Sequence, residues 1–366
     1  MQQVEQLPIE GIDYVELYVG NAKQATFYYQ NAFGFQPVAY SGPETGVKDK
    51  VSYLLQQSDI RLLLTTGLVP DHPASRFVQT HGDGVADIAL RVQNVDWLYK
   101  EAVKRGAKGI MEPRVLKDEH GALKGAAISA YGDTVHTFIE RTQYKGTFAP
   151  HFKTIESKMK VEPVGLRRVD HVVANVEEGK MDYWVEWYGK VFGFTQLVSF
   201  DDRDISTEYS ALRSKVMRNV SGSVKFPINE PASGKKKKSQ IQEYLEFFKG
   251  AGVQHLAIST DDLVSTVTKL QSRGVEFLLT PDSYYDELPK RMKDLPEKLE
   301  TLRQLRILVD KDDKGSMLQI FTKPLQDRPT LFFELIQRKG SESFGKGNFK
   351  ALFQAIELEQ EKRGNL

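Results

Sequence analysis

The feature of this sequence that most constrains its fold is an internal repeat. Residues 11–17 in the first half resemble residues 168–174 in the second, and residues 84–90 resemble residues 252–258. Because a repeated sequence implies a repeated structural unit, the chain is predicted to form two halves of similar fold. The first half is expected to span residues 1–150 and the second residues 163–366, with a linker between them.

Each half is predicted to run strand, helix and several strands, and then to run through the same order again. Residues 25–35 and 185–194 each predict an amphipathic helix that ends at a glycine. Residues 169–173 alternate in the manner of a strand. We predict an α+β fold in which each half is built from paired βαβββ units that form an open, half-barrel sheet.

The second half carries a set of side chains that suits a metal ion. The repeat aligns His171, His255 and Glu334 at three positions of the second half. The first half is predicted to hold Tyr14, Asp87 and Glu140 at those positions. Two imidazoles and one carboxylate form the facial triad of non-haem Fe(II) oxygenases. We therefore predict one Fe(II) in the second half and none in the first, although glyoxalase-type and extradiol enzymes use similar ligands.

Two further signals surround these ligands. Gln240, Gln254 and Gln319 fall in stretches that are predicted to be strands, and their amides can both donate to and accept from a small polar substrate. Since Gln254 directly precedes His255, it is expected to point to the opposite face of its strand. The tail after residue 343 predicts an amphipathic helix, with Phe344 and Phe349 placed to cover a reactive centre or to pack on the core.

Composition excludes several classes of partner. The 50 basic and 49 acidic residues leave a net charge of +1, which argues against nucleic-acid or anionic-membrane partners. The one charge run, residues 235–238, is predicted to lie on a solvated loop. There is no cysteine, so any metal must take nitrogen and oxygen ligands. With no predicted secretory signal and no apolar stretch near the ~20 residues that span a membrane, a cytoplasmic protein is expected.

Several segments resemble the 4-hydroxyphenylpyruvate dioxygenase family of the vicinal oxygen chelate superfamily. They are residues 169–173, 226–231, 238–242, 252–257, 318–322, 327–330 and 344–349. The resemblance is dense over residues 165–366 and weaker over the first 150. It implies that His171, His255 and Glu334 bind Fe(II), with O2 as co-substrate. The keto acid of the substrate would supply the electrons, so no 2-oxoglutarate would be needed.

The resemblance also implies a substrate, a reaction and an assembly. Oxidative decarboxylation, ring hydroxylation and side-chain migration of 4-hydroxyphenylpyruvate would give homogentisate, in tyrosine and phenylalanine catabolism, and the chain would form a homodimer or homotetramer. The residues that match the family's substrate pocket are Ser214, Asn229, Gln240 and Gln254, with Gln319 beside them, and the apolar Phe332, Phe344 and Phe349, with the tail helix as a gate. Arg213 stands where the family often has asparagine.

Three alternatives remain open from the sequence. Hydroxymandelate synthase uses the same substrate and metal but hydroxylates the side chain. An extradiol ring-cleaving dioxygenase is disfavoured because no further histidine is placed as an acid–base partner beside the three ligands. A non-catalytic binding module is disfavoured because the second half keeps all three ligands.

Overall fold

The computed structural model describes residues 4–201, 211–232 and 238–365. Three lysines of the charge run, Lys235, Lys236 and Lys237, lie outside the described residues. The first half contains β1 (Ile9–Tyr18), α1 (Ala22–Phe33), β2 (Gln36–Ser41), β3 (Lys50–Gln57), β4 (Ile60–Gly67), α2 (Pro73–His81), β5 (Gly84–Val92), α3 (Val95–Lys104), β6 (Gly109–Asp118), β7 (Gly121–Ser129), β8 (Val135–Glu140) and β9 (Lys153–Thr154).

The second half repeats this order with insertions. It contains β10 (Leu166–Asn175), α4 (Met181–Phe192), β11 (Thr195–Phe200), β12 (Leu212–Arg218), β13 (Lys225–Pro231), α5 (Gln240–Phe248), β14 (Gly252–Thr260), α6 (Leu263–Ser272), α7 (Asp282–Arg291), α8 (Leu299–Leu305), β15 (Leu308–Lys311), β16 (Ser316–Phe321), β17 (Phe332–Lys339) and α9 (Phe349–Lys362). Helices α7 and α8 have no counterpart in the first half, and they follow Gly274.

Each half forms one curved mixed sheet from two βαβββ units. The described strands of the first sheet run β6-β7-β8-β5-β1-β4-β3-β2-β9, and those of the second run β11-β12-β13-β10-β14-β17-β16-β15. The first strands of the two units pair antiparallel at the centre of each sheet. Each of these strands pairs parallel with the last strand of its own unit. The predicted fold class is confirmed: α+β, with two tandem half-barrel sheets.

Glycine ends the first helix of each half for two physical reasons. Gly34 follows α1 with φ 75°, and Gly193 follows α4 with φ 73°. This left-handed conformation closes a helix end and favours glycine. A Cβ at Gly34 would also lie 2.8 Å from the Glu162 oxygen, and one at Gly193 would lie 2.7 Å from Cα of Gln6. The chain that enters each half therefore passes across the helix end of the other half.

The two halves exchange contacts across their boundary in a symmetric way. Phe333 of β17 in the second half packs edge-on against Phe33 of α1 in the first, with ring centroids 5.2 Å apart. At the equivalent place, His136 of β8 packs against Phe192 of α4, with centroids 5.7 Å apart, and its Nε2 lies 2.7 Å from the Tyr188 hydroxyl. Each sheet is thus held in place by a helix of the other half, within one continuous apolar core.

No helix in the described ranges is both long enough and apolar enough to cross a bilayer.

The boundary histidine gives a prediction for the pH dependence of stability. Burial lowers the pKa of His136 from 6.5 to about 4, although the bond to the Ile88 carbonyl opposes this. Below pH 6.5 the unfolded chain takes up a proton that the folded protein does not, so stability falls as the pH drops from about 6.5 to about 4. The loss should be on the order of 3 kcal/mol, and His136→Gln should remove it.

Urea unfolding at pH 7, 5.5 and 4.5 measures this difference. His120 is exposed, so His120→Gln is the matched control and should keep the pH dependence of the wild type. An unchanged pH dependence in His136→Gln would contradict the assignment.

Candidate metal centre

Three neighbouring strands at the centre of the second sheet bring the predicted ligands together. His171 lies on β10, His255 on β14 and Glu334 on β17. Oε2 of Glu334 lies 3.1 Å from Nε2 of His171 and 3.3 Å from Nε2 of His255. One ligand atom from each residue lies within 4.8 Å of the others, and all three residues are buried. This spacing leaves room for one metal ion among the three side chains.

A β-bulge beside each histidine sets its orientation. The pairing of β10 with β14 shifts by one residue at Asp170 and again at Gln254. Such a bulge can bring the extra residue toward the same face as its neighbour. Asp170 Oδ1 therefore lies 2.8 Å from Nδ1 of His171, and Gln254 Oε1 lies 2.9 Å from Nδ1 of His255. An oxygen that accepts the Nδ1 proton leaves Nε2 as the metal-binding atom in both rings.

The expectation that Gln254 faces away from His255 is wrong. Strand alternation predicts it, but the bulge at Gln254 interrupts that alternation. Both side chains line the same cavity.

The charges of the three ligands suit a divalent cation. Burial would raise the pKa of Glu334, but His171 and His255 outweigh it and lower that pKa to about 2. Burial lowers the pKa of His255, which favours the neutral imidazole that binds metals. Burial also opposes protonation of His171, but Glu334 and Asp170 raise its pKa. Without a metal, a proton on His171 would balance Glu334, and a bound cation would replace that proton.

A single cavity brings together all the residues that the sequence singled out for the site. Its empty space, counted together with the open solvent at its mouth, is about 620 Å³. Its lining includes His171, Ser214, Asn229, Gln240, Gln254, His255, Gln319, Phe332, Glu334, Phe344 and Phe349. Further apolar residues, which were not predicted from the sequence, also line it: Val173, Phe200, Leu212, Val216, Phe321, Leu352, Phe353 and Ile356.

Gln240 reaches this cavity from a helix, so its prediction as a strand residue is wrong. It is the first residue of α5, and the Ser239 side chain caps that helix by accepting from the Gln242 backbone. A serine followed three residues later by glutamate or glutamine is a helix-start signal. Ser239 and Gln242 fit that pattern, so the sequence carried a signal for a helix that begins at Gln240.

The polar side of the cavity is linked to the tail. Gln319 Nε2 donates to Oε1 of Glu334 over 3.4 Å, and Gln319 Oε1 accepts from the Asn348 amide over 3.2 Å. Ser214 and Asn229 lie opposite each other on the paired strands β12 and β13. Glu334 is therefore connected through one amide to the segment that precedes α9.

The apolar side of the cavity is aromatic. Phe332 stacks on the His255 ring, with centroids 4.8 Å apart and planes 22° apart. The Phe344 centroid lies 5.2 Å from that of His171, and Phe349 packs edge-on against Phe200 at 4.8 Å. Helix α9 contributes more apolar side chains to the same wall. These rings can enclose a flat apolar group and keep water away from the ligands.

The first half fills the equivalent region differently. The Tyr14 hydroxyl donates to Oδ2 of Asp87 over 3.1 Å, and the Thr137 backbone amide donates to Oδ1 of the same carboxylate over 3.0 Å. Burial raises the pKa of Asp87 to about 7, with help from the nearby Glu16. A tyrosine and one carboxylate that hydrogen-bond to each other do not reproduce the ligand set of the second half.

The predicted equivalence of Glu140 and Glu334 is wrong. In the second half, parallel pairing places His255 beside Phe332, two residues before Glu334. In the first half it places Asp87, the counterpart of His255, beside Val135, two residues before Thr137. The counterpart of Glu334 is therefore Thr137. Glu140 instead accepts from the Val95 backbone amide at the start of α3. In the second half, Gln337 accepts from the Leu263 backbone amide at the start of α6 in the same way. Glu140 is thus the counterpart of this helix-capping residue.

Asp170 and Arg338 also belong to the site, although they were not predicted from the sequence. Arg338 donates to both carboxylate oxygens of Asp170, over 3.0 and 2.9 Å. The pair recurs in the first half as Asp13 and Arg141. A charged pair that persists at equivalent positions of both halves was the available signal.

The turn before α9 gives a prediction about stability. Gly345 has φ 80°, and a Cβ there would collide with the Gln319 amide. Gly345→Ala should therefore cost the ~1–3 kcal/mol of a left-handed alanine and further free energy for displacing Gln319. Gly222 has φ 70° and no neighbour within 4 Å, so Gly222→Ala shows the backbone cost alone. Equal losses of unfolding free energy in the two variants would rule out the collision.

Comparison with known proteins agrees with this geometry. Residues 5–151 match the family described as "Hydroxyphenylpyruvate dioxygenase, HPPD, N-terminal", and residues 168–300 match the "Glyoxalase/Bleomycin resistance protein/Dioxygenase superfamily". Proteins named 4-hydroxyphenylpyruvate dioxygenase are similar over nearly the full chain. The one from Dictyostelium discoideum is 49% identical, covering 98% of this chain and 100% of its own, and the one from Xenopus tropicalis is 47% identical, covering 96% and 92%.

Solved structures show the same fold. A mutant of 4-hydroxymandelate synthase from Streptomyces coelicolor superposes with a TM-score of 0.87 at 33% identity, covering 97% of this chain and 100% of its own. The Mn(II)-bound glyoxalase from Novosphingobium aromaticivorans gives a TM-score of 0.50 at 14% identity, covering 90% and 82%, and shows the fold alone. On the extent of these matches, the chain belongs to the 4-hydroxyphenylpyruvate dioxygenase family.

Proposed function

We propose that this protein is a 4-hydroxyphenylpyruvate dioxygenase that converts its substrate to homogentisate with Fe(II) and O2. The observation that carries the proposal is the buried group of His171, His255 and Glu334 at the end of a cavity with one amide-rich and one aromatic side. Membership of the family supports the choice of substrate. The reaction would belong to tyrosine and phenylalanine catabolism.

The donor set fits iron. Two neutral imidazole nitrogens and one carboxylate oxygen match the facial arrangement that non-haem Fe(II) sites use. Fe(II) held there would supply the open positions for chelating an α-keto acid and for activating O2. Because the substrate carries its own keto acid, 2-oxoglutarate is not needed as a co-substrate.

The amides around the ligands would orient the substrate. The Gln254 oxygen is engaged by His255, so its NH2 group is left to donate into the cavity. The Asn229 NH2 group donates to the side-chain oxygen of Asn175 over 3.4 Å, so the Asn229 oxygen is left to accept a phenol proton. With Ser214 and Gln240 in the same lining, these groups would bind the polar ends of the substrate, while Gln319 steadies Glu334.

The aromatic wall would hold the substrate ring. Phe332, Phe344 and Phe349 enclose the apolar side of the cavity, and α9 lies over it. We assign α9 the role of a gate that opens for the substrate and then excludes water. The gate belongs to a catalytic half of residues 163–366, and residues 1–150 form a half that takes no iron.

The setting of the enzyme is also part of the proposal. The chain would work in the cytoplasm as a homodimer or homotetramer on a small-molecule substrate, without a nucleic-acid or membrane partner. The balance of 50 basic and 49 acidic residues supports the last point.

Hydroxymandelate synthase is the second candidate. The synthase structure from Streptomyces coelicolor has the same fold over 97% of this chain. Its identity of 33% is lower than the 49% of the dioxygenase from Dictyostelium discoideum, which favours the dioxygenase.

A pair of glutamate variants tests the metal site. Glu334→Gln removes the only carboxylate among the three ligands, so Fe(II) binding should weaken and product formation should fall by at least a hundredfold. Glu140→Gln is the control, because an amide oxygen can still cap α3, as Gln337 caps α6. Anaerobic Fe(II) titration and product assays measure both effects. Normal iron binding by Glu334→Gln would refute the assignment.

Product analysis tests the reaction. The Fe(II)-loaded protein, supplied with 4-hydroxyphenylpyruvate and O2, should form homogentisate with one CO2 released for each O2 consumed. Mass spectrometry and chromatography identify the product. Formation of 4-hydroxymandelate instead would move the protein to the synthase, and no O2 uptake by folded, iron-loaded protein would refute both candidates.

A further inference from the structure

Arg338 connects the candidate metal centre to the tail that covers it. Its guanidinium donates to both oxygens of Asp170, which in turn accepts from Nδ1 of His171. The same guanidinium donates to the Ser343 carbonyl over 2.6 Å and to the Ser341 carbonyl over 3.3 Å. One rigid side chain thus contacts both the carboxylate behind a ligand and the backbone of the tail.

The arginine also positions an aromatic ring of the cavity. Its guanidinium carbon lies 5.4 Å from the centroid of Phe344, whose ring packs against His171. The cation therefore holds Phe344 from one side while His171 meets it from the other. Movement of the tail away from the cavity would break these contacts and leave Asp170 less firmly held.

The first half contains the same unit of an aspartate, an arginine, a backbone carbonyl and an aromatic ring, but without the candidate metal ligands. Arg141 is paired with Asp13, donates to the Phe148 carbonyl, and lies 4.9 Å from the centroid of the Phe148 ring. That ring packs against Tyr14, the counterpart of His171, at 5.4 Å. The unit is therefore part of the repeat, and in the second half alone it borders a histidine that can bind a metal.

The two units are also matched in burial and in neighbouring charge. The side chains of Arg338 and Asp170 are 15% and 1% exposed, and those of Arg141 and Asp13 are 17% and 0% exposed. A second cation lies 3.6 Å from each aspartate: Lys225 beside Asp170 and Arg61 beside Asp13. Loss of either paired arginine therefore leaves a comparable buried carboxylate, which makes Arg141 a close control for Arg338.

We propose that Arg338 is a positioning residue that couples metal binding at His171 to closure of the tail over the cavity. This inference rests on the metal site of the proposed function but not on its substrate or product. With Asp170 fixed, His171 is held with Nε2 toward the metal, and the same guanidinium keeps residues 341–344 in place. Since such coupling is reciprocal, a bound metal should also stabilise the closed tail.

Co(II) binding and tryptic cleavage of the tail test the coupling without turnover. In Arg338→Gln, Co(II) should bind about 10–100-fold more weakly, and cleavage after Lys346 and Lys350 should be faster. Co(II) should slow that cleavage in the wild type but not in Arg338→Gln. Arg141→Gln should keep the wild-type Co(II) affinity and the protection of the tail, even where its melting temperature falls as much as that of Arg338→Gln.

Arg338→Lys distinguishes a positioning role of Arg338 from a general loss of stability. This variant replaces Arg338→Gln in the test if Arg338→Gln does not fold. One ammonium group can pair with Asp170 but cannot also hold the Ser341 and Ser343 carbonyls, so this variant should recover part of the Co(II) affinity without the protection of the tail.

Three outcomes would overturn the inference. They are wild-type Co(II) affinity in Arg338→Gln, continued protection of its tail by Co(II), and an equal loss of Co(II) affinity in Arg141→Gln. Failure of the wild type to bind Co(II) would refute both this inference and the metal site of the proposed function. If the Co(II) results are as expected but the product assay fails, only the proposed dioxygenase activity is refuted.

Discussion

Burial of an ionised carboxylate between two imidazoles is the constraint on which the site depends. Glu334 has almost no contact with solvent, and an unpaired charge there would be costly. The two histidines balance it, and each is held through Nδ1 by an oxygen from its own strand neighbour. The β-bulges at Asp170 and Gln254 are what place those oxygens. Orienting both imidazoles in this way therefore depends on irregular strands within a regular sheet.

The half without the ligands is part of the support for the half that has them. Phe333 lies between Phe332 and Glu334 on β17, and strand alternation turns it away from the cavity. It packs there against Phe33 of α1, in the first half. The strand that carries Glu334 is thus fixed from behind by the other half. Both halves share this packing, whereas His171, His255 and Glu334 all belong to the second half.

Much of the site could be predicted because its residue types are unusual for their surroundings. His171, His255 and Glu334 stand out in apolar strands, and the repeat aligned both histidines correctly with Tyr14 and Asp87. The third alignment failed because similar residues near the ends of β8 and β17 permit more than one register, and only strand pairing identifies Thr137 as the counterpart of Glu334.

The amino-acid sequence was enough to predict the two halves, the βαβββ order and the residue types that would gather at the site, because periodicity and duplication can be recognised along a chain. Strand pairing and packing were needed to show that Gln254 faces the cavity and that Gln240, at the start of α5, lies in the same cavity. It also decided that Arg338 joins Asp170 to the tail. Bulges, strand register and contacts between distant segments depend on how whole strands pair and pack, and no local pattern specifies that.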